Sequence, residues 1–279
     1  MKEELIDITI LGSGTSTGVP MLGCGCQVCR SVDSRNRRTR CSALIRYHGF
    51  CVVIDTGTDF RQQALREHID HVDAVLYTHA HADHVHGIDD LRAFNMTSKK
   101  VIPIYGLPPT MDSLRRTFRY IFDDSISPKF RPQLIPWPIG GDFSLFGLTV
   151  QPLPLWHGEG LSCGFRIGPL AYLADCNHIP ETTMARLEGL ELLVIDGLRY
   201  RSHPTHFTIE EACAVADRLG ARRTLLTHLC HEVEHERDSA GLPAGVELAY
   251  DGQRVRLSLP LSAALPEPEP AAATFCVGS

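Results

Sequence analysis

The chain has 279 residues, 43% of them hydrophobic and 22% charged, with a formal net charge of −6. That is the composition of an ordinary soluble globular protein, and it excludes a collagen, a coiled coil and a wholly disordered chain. The acidic balance argues against broad non-specific binding to nucleic acid. No apolar run reaches the roughly 18 residues of a membrane span. The N-terminal MKEELIDITI carries acids where a secretory signal carries a basic region, so a cytoplasmic protein is expected.

Residues 5–12 alternate as a strand and end in a glycine-rich loop, GSGTSTGVP. Residues 42–47 and 50–57 are short apolar runs separated by His48 and Gly49, a hairpin signal. A short helix is expected over 59–68 and a buried strand over 74–79. Beyond a histidine cluster, the apolar spacing predicts a helix over 87–95, a strand over 101–106 and a helix over 110–122. Residues 125–142 are proline-rich and expected to be irregular. Strands return at 143–147, 148–156, 164–168 and 170–175. A helix (181–189), a strand (192–197), a long helix (209–220) and a strand (223–228) follow, and strands at 246–250 and 254–259 close the pattern. Strands precede helices in each half, which predicts an α/β domain with two sheets packed face to face and helices outside. It is expected to span 1–260, followed by a disordered Ala/Pro/Glu-rich tail, 261–279.

Ten cysteines in a cytosolic chain call for metal binding or packing rather than disulfides. Cys24, Cys26 and Cys29 cluster in GCGCQVC, and Cys41, Cys51, Cys163, Cys176, Cys213 and Cys230 are scattered among apolar residues, where they are expected to pack. The basic run Arg35, Arg37, Arg38 and Arg40 reads as a solvated loop or as a phosphate contact. Residues 77–87, YTHAHADHVHG, place His79, His81, Asp83 and His84 as H-x-H-x-D-H at the end of a buried strand. On an extended turn, His79 and His81 aim to one side. Asp83 and His84 follow where the chain bends into a helix. Neutral imidazoles with a carboxylate suit zinc, manganese or iron. Taken alone, His157 in PLPLWHG reads as a structural histidine, Asp175 in LAYLADC as a helix cap and His228 in LLTHLCH as a core histidine.

Together with H-x-H-x-D-H, these residues resemble the ligand pattern of the metallo-β-lactamase-fold hydrolases. The resemblance implies a four-layer αββα fold. It implies that His79, His81 and His157 hold one ion, that Asp83, His84 and His228 hold the other, and that Asp175 bridges them. Asp55 in VVIDTG matches the aspartate the family keeps beneath its metals. A histidine directly after Asp83 counts against β-lactamase activity, and His81 in place of a glutamate counts against flavodiiron-type oxygen reduction.

HPTHFTIEEA, residues 203–212, resembles the H-x-T element of the phosphodiesterase branch. The resemblance implies that His206 faces the phosphate and assists the leaving group, with His203 as a competitor for that role. Thr208 also reads as a helix cap, with Glu211 completing a capping box. GCGCQVC resembles the structural zinc site of the PhnP-type phosphodiesterases, with His231 in register as fourth ligand to Cys24, Cys26 and Cys29. Coenzyme-biosynthesis relatives carry a similar cluster.

The expected activity is therefore hydrolysis of a small, cyclic phosphodiester, 5-phosphoribosyl 1,2-cyclic phosphate being the resemblance's best match. The implied means are a hydroxide bridging two divalent ions (manganese or zinc), Asp83 orienting the nucleophile, and His206 as acid. The runner-up readings are a glyoxalase II-like thioesterase and a non-catalytic accessory protein of cofactor biosynthesis. No membrane or stable nucleic-acid partner is expected, and relatives suggest a homodimer. Arg115, Arg116 and Arg119 read either as contacts to a second phosphate or as a solvated helix face.

Overall fold

Ile6, Ile8 and Ile10 alternate with polar residues and are buried to within 1% of full exclusion, so one face of the first strand is core. That alternation recurs along the chain and builds the architecture. The computed structural model describes residues 4–259. The expected tail, 261–279, lies outside the described residues.

In chain order the first half contains β1 (Glu4–Gly12), β2 (Ser42–Tyr47), β3 (Phe50–Ile54), α1 (Phe60–Arg66), β4 (Ala74–Leu76), α2 (Ala82–Val85), α3 (Leu91–Ser98), β5 (Ile102–Gly106), α4 (Pro108–Thr117), α5 (Arg119–Phe122) and β6 (Leu134–Pro138). The second half contains β7 (Phe143–Leu145), β8 (Leu148–His157), β9 (Gly160–Ile167), β10 (Leu170–Leu173), α6 (Glu181–Met184), β11 (Leu192–Asp196), α7 (Ile209–Leu219), β12 (Arg223–Thr227), α8 (His235–Ser239), β13 (Val246–Leu248) and β14 (Arg254–Leu259). The strands form two seven-stranded mixed sheets, ordered β14-β1-β2-β3-β4-β5-β6 and β13-β12-β11-β10-β9-β8-β7. One apolar cluster joins their inner faces, including Ile8, Ile45, Val52, Phe165, Tyr172 and Val194. Separate clusters bury the outer faces, under Phe60, Leu91 and Leu114 on one side and Ile209, Ala212 and Ala216 on the other. The result is the expected four-layer αββα sandwich.

Several element boundaries differ from the sequence reading, each for a local reason. The proline-rich stretch holds an edge strand, β6, paired parallel to β5; Pro136 and Pro138 are tolerated at the edge of the sheet. The helix expected over 110–122 breaks at Phe118 (φ −110°, ψ 47°) into α4 and α5. The helix expected over 181–189 stops after one turn, at Met184. The helix α8 carried no sequence signal that was read. The hairpin at His48 and Gly49 is present, both residues having positive φ. Among the described residues, no helix is long and apolar enough to cross a membrane.

The capping box on α7 is complete: Thr208 Oγ1 accepts from Glu211 N (3.1 Å) and Glu211 Oε2 accepts from Thr208 N (2.8 Å). Thr208→Ala is expected to destabilise the protein by about 1 kcal/mol. Thr208→Ser should retain the cap, and equal stability of all three proteins in denaturant titration would refute the role.

The basic run is solvated in part, with Arg35 and Arg37 exposed, and departs from that reading at Arg38. Arg38 is buried, its Nη1 donating to the carbonyls of Cys230 (3.2 Å) and Val233 (2.8 Å). Arg35 pairs with Asp33 and Arg40 with Asp59. Arg38 ties the N-terminal loop to the chain after β12, a contact across about 190 residues that local sequence does not reveal.

Candidate metal centre

β3, β4, β8, β10, β11 and β12 all end on one side of the sandwich, and each delivers a polar residue there. His79 and His81 follow β4, His157 ends β8, Asp175 follows β10 and His228 follows β12. Three of these turns need left-handed backbone on a residue other than glycine: Asp55 (φ 60°), Asp175 (φ 52°) and His228 (φ 59°). Such conformations are costly and persist where the surroundings over-determine them. The α2 loop sits close beneath, because Gly57 and Gly87 have no side chain: a Cβ on Gly57 would lie 2.0 Å from the Asp83 carbonyl oxygen.

The donor atoms of His79, His81 and His157 lie within 4.8 Å of one another, as do those of Asp83, His84, Asp175 and His228. Asp175 spans the two groups. Its Oδ1 is 3.2 Å from His84 Nε2, and its Oδ2 is 3.3 Å from His228 Nε2 and 3.8 Å from His79 Nε2. His84 Nε2, Asp175 Oδ1 and both ring nitrogens of His228 are buried without a hydrogen-bond partner. Buried polar atoms left unpaired in this way are costly. Their convergence from three chain segments fits divalent cations, and the imidazole–carboxylate donor set is the right chemistry.

A second tier of contacts fixes how the imidazoles point. Asp55 Oδ2 lies 2.7 Å from His84 Nδ1, and the same carboxylate accepts from Thr78 N and Thr78 Oγ1. His157 Nδ1 donates to the Thr205 carbonyl at 2.8 Å. Each contact commits Nδ1 and leaves Nε2 for an ion, the usual means of setting a metal-ligating tautomer. Burial pushes His79 far below the ordinary imidazole range, and burial also lowers His157. Both are thereby held in the neutral, ligand-competent form. Burial would raise Asp83, but the nearby imidazoles of His228 (3.7 Å) and His84 (3.4 Å) outweigh it and hold the carboxyl well below its ordinary range.

His206 stands beside these groups, its ring centroid 4.7 Å from that of His157 and 4.5 Å from that of His228. Its Nδ1 is 2.6 Å from Asp196 Oδ2. Asp196 ends β11, is fully buried, and accepts a second bond from Cys176 N at 3.0 Å. Sequence reasoning missed Asp196; the available signal was a single acid closing the otherwise apolar strand LLVID. Thr205, which holds His157 through its carbonyl, was missed as well.

The centre opens into a cavity of about 650 Å³ lined by His79, His81, His157, Ser113, Thr117 and Thr205 among others. Among the described residues, no lysine or arginine lines it. Arg115 pairs with Asp112 and Arg116 donates to Ser113 Oγ at 3.0 Å, so these two arginines are engaged on their own helix.

Away from this cavity, Cys24, Cys26, Cys29 and His231 bring four donors within 4.8 Å. Cys24 Sγ and Cys26 Sγ each lie 3.4 Å from His231 Nδ1. The Cys26 thiol is lowered to about 6, chiefly by the Cys29 backbone N–H and then by His231. Three sulfurs and one imidazole make a closed tetrahedral set with no position for substrate. Cys41, Cys51, Cys163, Cys176 and Cys230 are buried and Cys213 is half-buried, consistent with packing.

The sandwich and its metal-ligand cluster define a metal-dependent hydrolase of the metallo-β-lactamase type. The β-lactamase superfamily domain matches residues 51–229. A diphosphatase of the PhnP family is 41% identical, with a TM-score of 0.86, over 92% of this chain and 99% of that one. The chain belongs to the β-lactamase superfamily and, within it, to the PhnP family. An octanoyltransferase of Porphyromonas gingivalis is 42% identical over 248 residues, covering 87% of this chain. This chain spans about half the length of that relative (50%). Zinc-bound PqqB from Methylobacterium extorquens shares the fold at 20% identity and a TM-score of 0.71, over 89% of this chain and 99% of its own.

Proposed function

We propose that the protein is a phosphodiesterase that opens a small cyclic phosphodiester, with 5-phosphoribosyl 1,2-cyclic phosphate as the first substrate to test. The observation that carries this reading is the His206–Asp196 pair beside the metal-ligand cluster. His206 commits Nδ1 to a buried carboxylate and keeps Nε2 for chemistry, which is the arrangement of an oriented proton donor. A thioesterase needs no such acid for its readily departing thiolate. The relationship to a diphosphatase supports attack at phosphorus. The octanoyltransferase match leaves half of that relative outside this chain.

His79, His81 and His157 would hold one divalent ion and Asp83, His84 and His228 a second, with Asp175 shared; zinc and manganese both suit the donors. Such ions supply positive charge that polarises a phosphoryl group and acidifies water. The protein's own groups do the rest. Asp83 is the more open carboxylate of the cluster, its side chain 12% exposed against 2% for Asp175, and orients the attacking water. As the phosphorus–oxygen ester bond breaks, His206 gives its Nε2 proton to the departing alkoxide. The proton released by the attacking water restores it. Before the first transfer and after the second His206 is an imidazolium, and Asp196 stabilises it in that form. A cavity that no lysine or arginine of the described residues lines, on a chain of net charge −6, favours a small diester over a nucleic acid.

Enzyme with counted metal, reloaded with zinc or manganese, is expected to hydrolyse bis-(p-nitrophenyl) phosphate and a 2′,3′-cyclic nucleotide, and to carry about three ions per chain. A chelator should abolish turnover and re-addition of metal should restore it. Turnover of a glutathione thioester with none of either phosphodiester would overturn the reading in favour of the thioesterase.

A further inference from the structure

His203 is not needed by any contact described so far, yet it is the next imidazole outward from the centre. Its ring centroid is 5.0 Å from that of His206, which in turn abuts His157 and His228. The order from the ligands outward is therefore His157 and His228, then His206, then His203. His206 is buried and His203 half-buried, so the series runs from the ligands towards the surface.

The loop that carries His203 is pre-built. Leu198 N donates to the Phe207 carbonyl and Ile209 N to the Arg199 carbonyl, both at 3.0 Å, closing residues 198–209 on themselves. The Arg199 guanidinium donates to the carbonyls of Arg201 (3.2 Å) and Ser202 (3.4 Å), immediately before His203. At the tip, His203 Nδ1 accepts from Thr205 N at 3.4 Å and lies 3.2 Å from Thr205 Oγ1. A backbone N–H can only donate, so Nδ1 is an acceptor and the neutral ring carries its hydrogen on Nε2. That Nε2–H has no protein acceptor among the described residues, and the ring is half-buried. Thr205 also lines the cavity, and its carbonyl fixes His157. One residue thus sets both a metal-ligand imidazole and the rim imidazole.

We propose that His203 is a second substrate-contacting imidazole, donating a hydrogen bond from Nε2–H to an oxygen of the leaving group. It keeps its proton throughout; the proton that moves is that of His206. The inference rests on the phosphodiesterase reading and deepens it by assigning the residue that holds the departing alcohol.

The test compares wild type, His203→Ala and His203→Gln, each with metal content counted, on two substrates. A 2′,3′-cyclic nucleotide leaves as a basic alkoxide, whereas bis-(p-nitrophenyl) phosphate releases a weakly basic phenolate that needs little help. His203→Ala is expected to lose about ten-fold in kcat/KM on the cyclic nucleotide, the effect of one hydrogen bond, and clearly less on the phenyl ester. His203→Gln, which keeps an N–H donor, should recover most of the loss. Nitrogen-15 spectra of the wild-type ring should show the Nε2–H tautomer. Equal losses on both substrates with metal retained would make His203 a structural residue. No loss on either, or an Nδ1–H tautomer, would also overturn the proposal. A fully metallated wild type inactive on both diesters would instead defeat the phosphodiesterase reading, and this assignment with it.

Discussion

His206→Ala should lose at least about 100-fold in turnover of an alkyl phosphodiester while retaining its active-site metals. The magnitude follows from removing a positioned acid. The retention follows from geometry, because His79, His81, His157, Asp83, His84, Asp175 and His228 already furnish both donor groups without it. The opposing possibility is specific: the donor atoms of His206 also fall within 4.8 Å of those of His157 and Asp175. Metal analysis separates the two, since loss of an ion with the substitution would make His206 a ligand. The variant also strips buried Asp196 of one of its two hydrogen-bond donors, leaving only Cys176 N. A stability loss of about 1–3 kcal/mol is therefore expected alongside the kinetic one, and activity should be read well below the melting transition. Asp196→Asn should keep the ring in place but remove the charge that supports an imidazolium, lowering turnover with metals again retained.

Cys26→Ser should cost one zinc per chain and stability of about 3 kcal/mol or more, as for any ion bound well above its dissociation constant by the folded state alone. Cys26 sits at the middle of the four-donor cluster, 3.4 Å from His231 Nδ1, and accepts from Cys29 N at 3.4 Å. The chain should still fold, because the same two loops are joined independently. Arg38 donates to the Cys230 and Val233 carbonyls, and Asn36 donates to Glu234 Oε1 (2.6 Å) while accepting from His235 N (2.8 Å). Turnover should fall only as far as the loop carrying His231 pulls on His228, three residues earlier. Unchanged zinc content in the purified variant would remove the structural-zinc assignment, and loss of the two active-site ions instead would show that the clusters had been confused.

Reading the sequence was productive where chemistry is encoded at short range. H-x-H-x-D-H, GCGCQVC and the Thr208–Glu211 box each place their groups within a few residues, so spacing alone implies which atoms can meet. The alternation in β1 and the apolar run of β11 likewise announce which faces are buried, and with them the sandwich. His157, Asp175 and His228 were visible only through resemblance, since each alone reads as an unremarkable core or cap residue.

What only the tertiary structure decided are the contacts between strand ends far apart in sequence. Asp55 reaches His84 because the parallel neighbours β3 and β4 finish on the same side of their sheet, and Asp196 reaches His206 because the loop after β11 folds back over the end of its own strand. The left-handed turns at Asp55, Asp175 and His228 are conformations that no residue type other than glycine advertises. Arg38 reads as surface by composition and is buried because its guanidinium meets carbonyls supplied from the other end of the chain. Local propensity fixes what a segment can form; which lone pairs face one another is settled by the packing of two sheets whose pairing no short window of sequence contains.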